Sequence, residues 1–122
     1  MATANILNCE GKSGKTYSFK TYSLKESFNN VECVYIYTKF TNDSWDTLYV
    51  GQTDQLSNRI YQHATGKVED SDLRIQESGA THIHIFQLNS KPERLAVEKD
   101  LLDNPDYYWT CNDPKTQQWK RK

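Results

Sequence analysis

Alternating apolar and polar positions predict three strands in the middle of the chain. Residues 33 to 37 and 47 to 51 are rich in β-branched and aromatic residues, and the Thr-Asn-Asp-Ser segment at 41 to 44 favours a turn between them. These segments predict a hairpin. Residues 81 to 88 alternate in the same way and predict a third core strand. Residues 15 to 24 alternate only in part, and we interpret them as a short edge strand.

A helix is predicted directly after the hairpin. Its apolar residues recur once per turn, namely Leu56, Ile60 and Ala64. Thr53 or Asp54 is expected to cap its start, and Gly66 is expected to end it in the left-handed conformation. The polar stretch from 69 to 79 is interpreted as a short second helix that Ser71 caps.

A further helix is predicted near the end of the chain. Ser90 and Glu93 form a Ser-x-x-Glu capping box with Pro92 in the first turn. The apolar side of this helix consists of Leu95, Val97, Leu101 and Leu102. We expect the helix to end before Pro105.

These elements predict an α+β fold with a small central sheet of three mostly antiparallel strands. Helices near residues 54 to 65 and 92 to 103 flank the sheet, and there is room for an extra amino-terminal strand. We expect three regions: an amino-terminal extension over 1 to 30, the main folded domain over 31 to 112, and a basic tail over 113 to 122.

Composition limits the class of protein. A chain of 122 residues with 36% hydrophobic residues corresponds to one domain and excludes a multidomain enzyme. The net charge of −1 does not indicate a basic nucleic-acid binder. No apolar run approaches the ~18 residues that span a bilayer and no signal peptide is visible, so we expect a cytoplasmic protein without a membrane partner. The three cysteines form no CxxC pair, which is typical of the reduced cytosol.

Two motifs invite a functional interpretation that their context does not support. The Gly-Lys-Ser-Gly-Lys-Thr segment at 11 to 16 is similar to a phosphate-binding loop, but Cys9 occupies the position of the required first glycine. His82 and His84 lie two apart on the third strand, so both point to one face and could bind zinc with a third ligand. Alternating polar positions on a half-exposed sheet explain the pair equally well.

Five polar residues and one glycine lie on the predicted hairpin, on the helix after it and on the last helix. They are Tyr35, Tyr49, Gly51, Arg59, His63 and Glu98. Arg59 and His63 lie four residues apart, on one face of the first helix. The set resembles the GIY-YIG endonuclease family, which carries one motif tyrosine on each hairpin strand, an arginine on the next helix and a metal-binding glutamate on a later helix.

Two features depart from the family pattern. Cys33 stands where the first motif has glycine, and Tyr49 follows Tyr35 by 14 residues, which is more than usual. The cysteine leaves every reacting group in place. The longer hairpin tip is expected to alter which DNA the site accepts.

The resemblance implies a metal-dependent endonuclease that hydrolyses DNA phosphodiester bonds. Glu98 would bind one Mg²⁺ or Mn²⁺, and Arg59 would hold the scissile phosphate through its planar donors. An unperturbed phenol has a pKa near ~10, so a tyrosine base needs help from a neighbour. We expect Tyr35 to contact the nucleophilic water, Tyr49 to orient water or phosphate, and His63 to assist. The sequence leaves the order of the two tyrosines open.

Further site residues are weaker candidates. A late asparagine used by some family members corresponds to Asn112 or, less plausibly, to Asn104. The candidate DNA contacts are Lys39, Gln52, Lys115, Trp119, Lys120 and Arg121. Solvated basic termini are the plain alternative for the tail residues. The low net charge predicts few phosphate contacts and a shallow dependence of binding on salt.

The choice of partner and the presence of activity remain open at this level. DNA is the expected substrate, with RNA as an alternative, and specificity would come from loops, dimerisation or a partner protein. The competing hypothesis is a non-catalytic module that keeps the GIY-YIG fold and binds nucleic acid or protein. The net charge of −1 and Cys33 in the first motif favour that hypothesis.

Overall fold

The structure is a computed structural model that describes residues 5 to 66 and 70 to 120. Within these residues the elements in chain order are β1 (Asn5–Glu10), β2 (Thr16–Ser23), β3 (Cys33–Thr41), β4 (Ser44–Thr53), α1 (Leu56–Thr65), α2 (Asp70–Ser78), β5 (His82–Gln87), α3 (Lys91–Leu102) and a 3-10 helix (Pro114–Lys120). No helix of the described residues is long and apolar enough to cross a membrane.

The described strands form one antiparallel sheet in the order β1-β2-β5-β3-β4. The α+β class is therefore confirmed, but the prediction of three strands is wrong, because β1 and β2 extend the sheet to five. The edge-strand interpretation of residues 15 to 24 is also wrong, since β2 pairs with β1 on one side and β5 on the other. Cys9 of β1 and Phe19 of β2 are both buried, and this burial holds the amino-terminal hairpin in the core.

The sheet has a hydrophobic cluster on each face. The cluster that includes α3 consists of Cys9, Phe19, Val34, Ile36, Val50, Val97, Leu101 and Trp109. The cluster that includes α1 and α2 consists of Cys33, Tyr35, Tyr37, Leu48, Leu56, Ile75, Ile83 and Cys111. Residues of β3 alternate between the two clusters, which explains why 33 to 37 is apolar throughout.

The β3–β4 hairpin is confirmed, and its register sets the direction of the motif tyrosines. Tyr35 pairs with Gly51 and Tyr37 pairs with Tyr49, and the register shifts between Tyr37 and Thr38. Because paired residues share a face of the sheet, Tyr35, Tyr37 and Tyr49 all point towards α1.

Helix α1 forms as predicted, but neither Thr53 nor Asp54 caps it. Its N-cap residue is Gln55, whose side chain makes no capping bond. The side chain of Asn30 replaces the local cap, because its Oδ1 accepts a hydrogen bond from the N–H of Asn58 at 3.0 Å. A residue from an earlier loop therefore satisfies the helix start.

The other helix ends differ in how well they follow the prediction. Gly66 has an extended conformation with φ −68°, so the predicted left-handed cap is wrong. Ser71 lies inside α2 and is therefore not its cap, and 67 to 69 lie outside the described residues. The start of α3 is confirmed, since the Ser90 side chain accepts a hydrogen bond from the Glu93 N–H. The helix ends at Leu102, before the proline as predicted.

Candidate active site

Three tyrosine rings surround His63 on the α1 face of the sheet. The His63 ring centroid lies 5.9 Å from that of Tyr35, 5.6 Å from that of Tyr37 and 5.2 Å from that of Tyr49. His63 is only 1% exposed, although it projects from a helix that is largely exposed. The sequence identified three of these four residues but read Tyr37 only as a hairpin residue. The signal was present, because Tyr37 follows Tyr35 by two residues on β3 and so points to the same face of the sheet.

A buried hydrogen-bond chain runs from Tyr35 through His63 to Asp72. The Tyr35 hydroxyl lies 2.8 Å from His63 Nε2, and His63 Nδ1 lies 2.9 Å from Asp72 Oδ1. An ionised carboxylate only accepts, so Nδ1 carries the proton and Nε2 accepts from the tyrosine. Burial raises the pKa of Tyr35, which keeps its hydroxyl protonated at rest.

Asp72 is a site residue that the sequence did not single out. It is 1% exposed and lies nine residues after His63, on α2. A Cβ on Gly66 would approach the Asp72 carboxylate to 2.5 Å, so the glycine leaves the space that the carboxylate occupies. The signal in the sequence is weak, because an acidic residue on a short polar helix is ordinarily a solvated one.

Arg59 lies between the two motif tyrosines. Its Nε donates to the Tyr35 hydroxyl at 3.4 Å, and its Nη1 donates to Gln62 Oε1 at 2.9 Å. Burial lowers the pKa of Arg59, but its interactions with Tyr35 and Tyr49 outweigh this and raise it. Burial raises the pKa of Tyr49, whereas Arg59 acts in the opposite direction. The guanidinium therefore carries a permanent positive charge beside both hydroxyl groups.

Glu98 reaches the same site from α3. It is half-buried, and burial raises its pKa to about 7, although the charge of Arg59 acts in the opposite direction. The Glu98 charge in turn raises the pKa of Tyr49, so the two groups are within electrostatic reach. In the described part of the chain no group donates a hydrogen bond to this carboxylate, and no cluster of three or more His, Cys, Asp or Glu side chains forms a metal cage.

Gly51 is required by the packing of the two tyrosines. A Cβ at this position would lie 2.7 Å from the Tyr35 hydroxyl oxygen and 2.8 Å from Tyr49 Cε2. Any larger side chain would displace one of the rings. The glycine therefore fixes the position of the hydroxyl that contacts Arg59 and His63.

Asn112 supports the tyrosine motif from the open edge of β4. Its Oδ1 accepts from the Val50 N–H at 2.9 Å, and its Nδ2 donates to the Val50 carbonyl at 3.0 Å. The side-chain amide thus makes with Val50, which lies between Tyr49 and Gly51, the two backbone hydrogen bonds that a neighbouring strand would make. Asn104 lies elsewhere, where its Nδ2 donates to the Glu10 carbonyl.

We expect the substitution Asn112→Ala to destabilise the fold and the tyrosine motif. Two buried backbone groups of Val50 would lose their partners, which costs about 1 to 3 kcal/mol each. Urea unfolding of the variant measures this loss. The matched control is Asn58→Ala, because Asn58 is exposed. An Asn112→Ala variant as stable as the wild type would contradict the assignment.

The candidate DNA contacts separate into two groups. Gln52 lies near the site, where its Oε1 accepts from Arg94 Nε at 3.1 Å, and Lys39 lies beside Gly79. The candidates of the tail lie on the 3-10 helix or after it: Lys115, Trp119, Lys120 and Arg121. Lys120 donates to the Tyr107 carbonyl and lies over the ring of Trp119, which is 53% exposed. Arg121 lies outside the described residues.

The structure gives the two disfavoured motifs a structural role. His84 Nδ1 lies 2.8 Å from the Thr21 hydroxyl, His84 Nε2 lies 2.7 Å from the Thr38 hydroxyl, and burial lowers the His84 pKa to about 4. Both ring nitrogens are therefore engaged, which opposes a zinc site. The segment from 11 to 16 forms the turn between β1 and β2 and the first residue of β2, not the strand-to-helix loop that binds phosphate.

Comparison with protein families matches residues 31–105, more than half of the 122-residue chain, to the GIY-YIG catalytic domain. The matched segment begins just before β3 and ends just after α3, so it contains the whole Tyr35 to Glu98 set. No significant match was found among curated proteins or among solved structures.

Proposed function

The chain belongs to the GIY-YIG family, and on that basis we propose that it is a metal-dependent endonuclease that hydrolyses phosphodiester bonds in DNA. The observation that carries this proposal is the position of Arg59 between the hydroxyls of Tyr35 and Tyr49. A planar cation beside two hydroxyl groups offers donors to a phosphate and a nearby group that orients water.

Arg59 binds the scissile phosphate and stabilises the extra negative charge of the pentacoordinate transition state. Its charge is permanent, and its contact with Gln62 fixes the direction of the guanidinium. Donors held in place in this way need no reorganisation when charge develops on the phosphate.

Tyr49 contacts the nucleophilic water, and Tyr35 passes the proton on. This order is the reverse of the one expected from the sequence. The exposure of the two side chains supports it, since Tyr35 is 1% exposed whereas Tyr49 is partly open to solvent. As the water oxygen bonds to phosphorus, the bond from phosphorus to the leaving ester oxygen breaks, and that oxygen takes up a proton from solvent. The water proton moves to Tyr49, the Tyr49 proton along its hydrogen bond to Tyr35, and the Tyr35 proton to His63 Nε2. The imidazolium formed is stabilised by Asp72, so no free phenolate is needed at neutral pH.

Glu98 is the residue that would hold one Mg²⁺ or Mn²⁺. A half-buried carboxylate with no hydrogen-bond donor from the described residues suits a metal that keeps several of its waters. When bound, such a metal neutralises charge on the phosphate and on the leaving oxygen.

The proposal is tested by incubating the protein with supercoiled plasmid, single-stranded DNA and RNA. We expect DNA cleavage in Mg²⁺ or Mn²⁺ and none in EDTA. A folded wild type that binds DNA but cleaves nothing in either metal would contradict the proposal and favour the non-catalytic module. Cleavage of RNA alone would overturn the choice of substrate.

We expect the substitution Asp72→Asn to slow single-turnover cleavage by about 10²- to 10⁴-fold. An amide at position 72 can donate as well as accept, so it no longer holds the proton on His63 Nδ1. When the proton lies on Nε2 instead, that nitrogen cannot accept from Tyr35. DNA affinity should stay near that of the wild type. The matched control is Glu77→Gln, an exposed carboxylate on the same helix. Equal rates in the two variants would remove Asp72 from the relay.

Metal affinity should depend on pH through Glu98. Because its pKa is raised to about 7, Mn²⁺ competes with a proton, and affinity should rise about tenfold per pH unit below pH 7 and then level off. Without metal, the folded state binds more protons than the unfolded state between pH ~4.5 and ~7, so stability falls as pH rises through that window. Calorimetry and thermal unfolding at several pH values measure both trends. Glu98→Gln should abolish the part of each pH dependence that arises from the Glu98 carboxylate.

A further inference from the structure

A polar cavity of about 280 Å³ adjoins the candidate active site. It is lined by residues from the end of β4, from the link after it, from α1 and from the first turn of α3, namely Gln52, Thr53, Asp54, Arg59, Lys91 and Arg94. The lining thus includes three positive side chains and one carboxylate. The volume lies just under the ~300 to 1,000 Å³ of pockets for drug-sized ligands, and it suits one small anionic group with its waters.

Arg94 is a buried cation whose donors are only partly used. It is 3% exposed, and its Nε donates to Gln52 while its Nη1 donates to the Leu88 carbonyl and lies 3.5 Å from Glu32. Among the described residues, no acceptor pairs with its Nη2. Since no buried side-chain nitrogen or oxygen of the described residues lacks a hydrogen-bond partner, Nη2 must be accessible to solvent. Arg94 lines the cavity, so this nitrogen is available to a ligand there.

Lys91 is placed where it does not stabilise its own helix. It is the first residue of α3, where the helix dipole is positive and a cation is unfavourable. In the described part of the chain it has no ion-pair partner, whereas Lys99 on the same helix pairs with Asp103. Its side chain is exposed and lines the cavity, so the ammonium is available to an anion there.

We propose that this cavity binds a backbone phosphate of DNA next to the scissile one, a proposal that rests on the proposed function. Arg59 lines the cavity as well as the site, so a strand whose scissile phosphate contacts Arg59 can place a neighbouring phosphate here. Arg94 Nη2 and the Lys91 ammonium donate to its oxygens. A contact of this kind sets the register of the strand and carries no sequence information.

The first test measures the affinity for a short uncleaved duplex in Ca²⁺ at increasing salt. Loss of one phosphate contact in Lys91→Ala should lower the slope of log affinity against log salt by about 0.9. Lys91→Glu should weaken binding further while its Tm equals or exceeds that of the wild type, because the helix dipole favours an acid at this position. The matched control Lys99→Ala should keep the wild-type slope.

The second test replaces single phosphates around the cleavage position with neutral methylphosphonates. In the wild type, a methylphosphonate at one position next to the cleaved bond should lower DNA affinity. In Lys91→Ala the same replacement should cause no further loss of affinity, because the substitution has already removed that contact. Additive losses at every position, or a wild-type salt slope in Lys91→Ala, would overturn the subsite while DNA cleavage by the wild type still stands. A wild type that does not bind DNA would overturn the proposed function itself.

Discussion

Replacing Arg59 by alanine is expected to lower the rate of DNA cleavage by about 10³-fold. Removal of one preorganised donor from an oxyanion site typically costs 10²- to 10³-fold, and an arginine that stabilises a transferring phosphoryl group contributes still more. The variant also removes the positive charge beside Tyr35 and Tyr49. The defect should therefore appear in the single-turnover rate and exceed the loss in DNA affinity.

The companion substitution Arg59→Lys separates charge from geometry. Lysine keeps the charge but lacks the planar pair of donors, so it should restore only part of the rate. Lys99→Ala serves as the control for loss of a surface cation, since that side chain is 77% exposed. If Arg59→Ala cleaves within tenfold of the wild type, the scissile phosphate does not contact this residue.

Replacing Glu98 by glutamine is expected to abolish metal binding at the site and to slow cleavage by about 10³-fold. Several kcal/mol of charge stabilisation depend on the metal, and each 1.36 kcal/mol corresponds to a factor of ten in rate. Because burial raises the pKa of Glu98, the neutral amide should suit the folded state at least as well as the carboxylate. Thermal stability without metal should therefore stay equal or increase at pH 8.

Calorimetric titration with Mn²⁺ and single-turnover cleavage measure the two parts of this expectation. The matched control is Glu93→Gln, an exposed carboxylate in the first turn of the same helix. An unfolded variant would show itself as a lowered Tm. Wild-type Mn²⁺ affinity in Glu98→Gln would remove Glu98 from the metal site.

The parts of the fold that the sequence predicts are those with strong local periodicity. The β3–β4 hairpin, α1, α3 and β5 have apolar residues at regular spacing and form where the spacing indicates. Strand β1 has only short apolar segments, and its place in the sheet depends on Cys9 packing with Phe19 and Trp109 in one cluster. The cap of α1 comes from Asn30, a contact between distant residues that no local pattern contains.

In the candidate site, too, local sequence patterns predict some residues, whereas others depend on contacts between distant elements. Residue types and order along the chain identify Arg59 and His63, and their common face follows from the helical repeat. Asp72 is recognisable only once α1 and α2 pack together, because its role depends on the distance to His63 Nδ1. Arg94 likewise occurs in the sequence as one charge on a helix, and only the fold buries it beside Gln52.

The departure at Cys33 is explained by packing. The residue is fully buried within the cluster on the α1 face, and its backbone pairs with Thr53 and Gln87 on the two neighbouring strands. Burial raises the pKa of its thiol to about 12, so the side chain is an inert part of the core. The position therefore lends no chemical support to the non-catalytic alternative.

The Mn²⁺ dependence of single-turnover DNA cleavage tests the central claim most directly. Wild type and Glu98→Gln are titrated with Mn²⁺ side by side at pH 8, where the Glu98 carboxylate is ionised. We expect saturable activation of the wild type from an undetectable rate and no activation of the variant. Cleavage by the wild type without metal, or equal activation of both proteins, would contradict a metal-dependent nuclease built on Glu98.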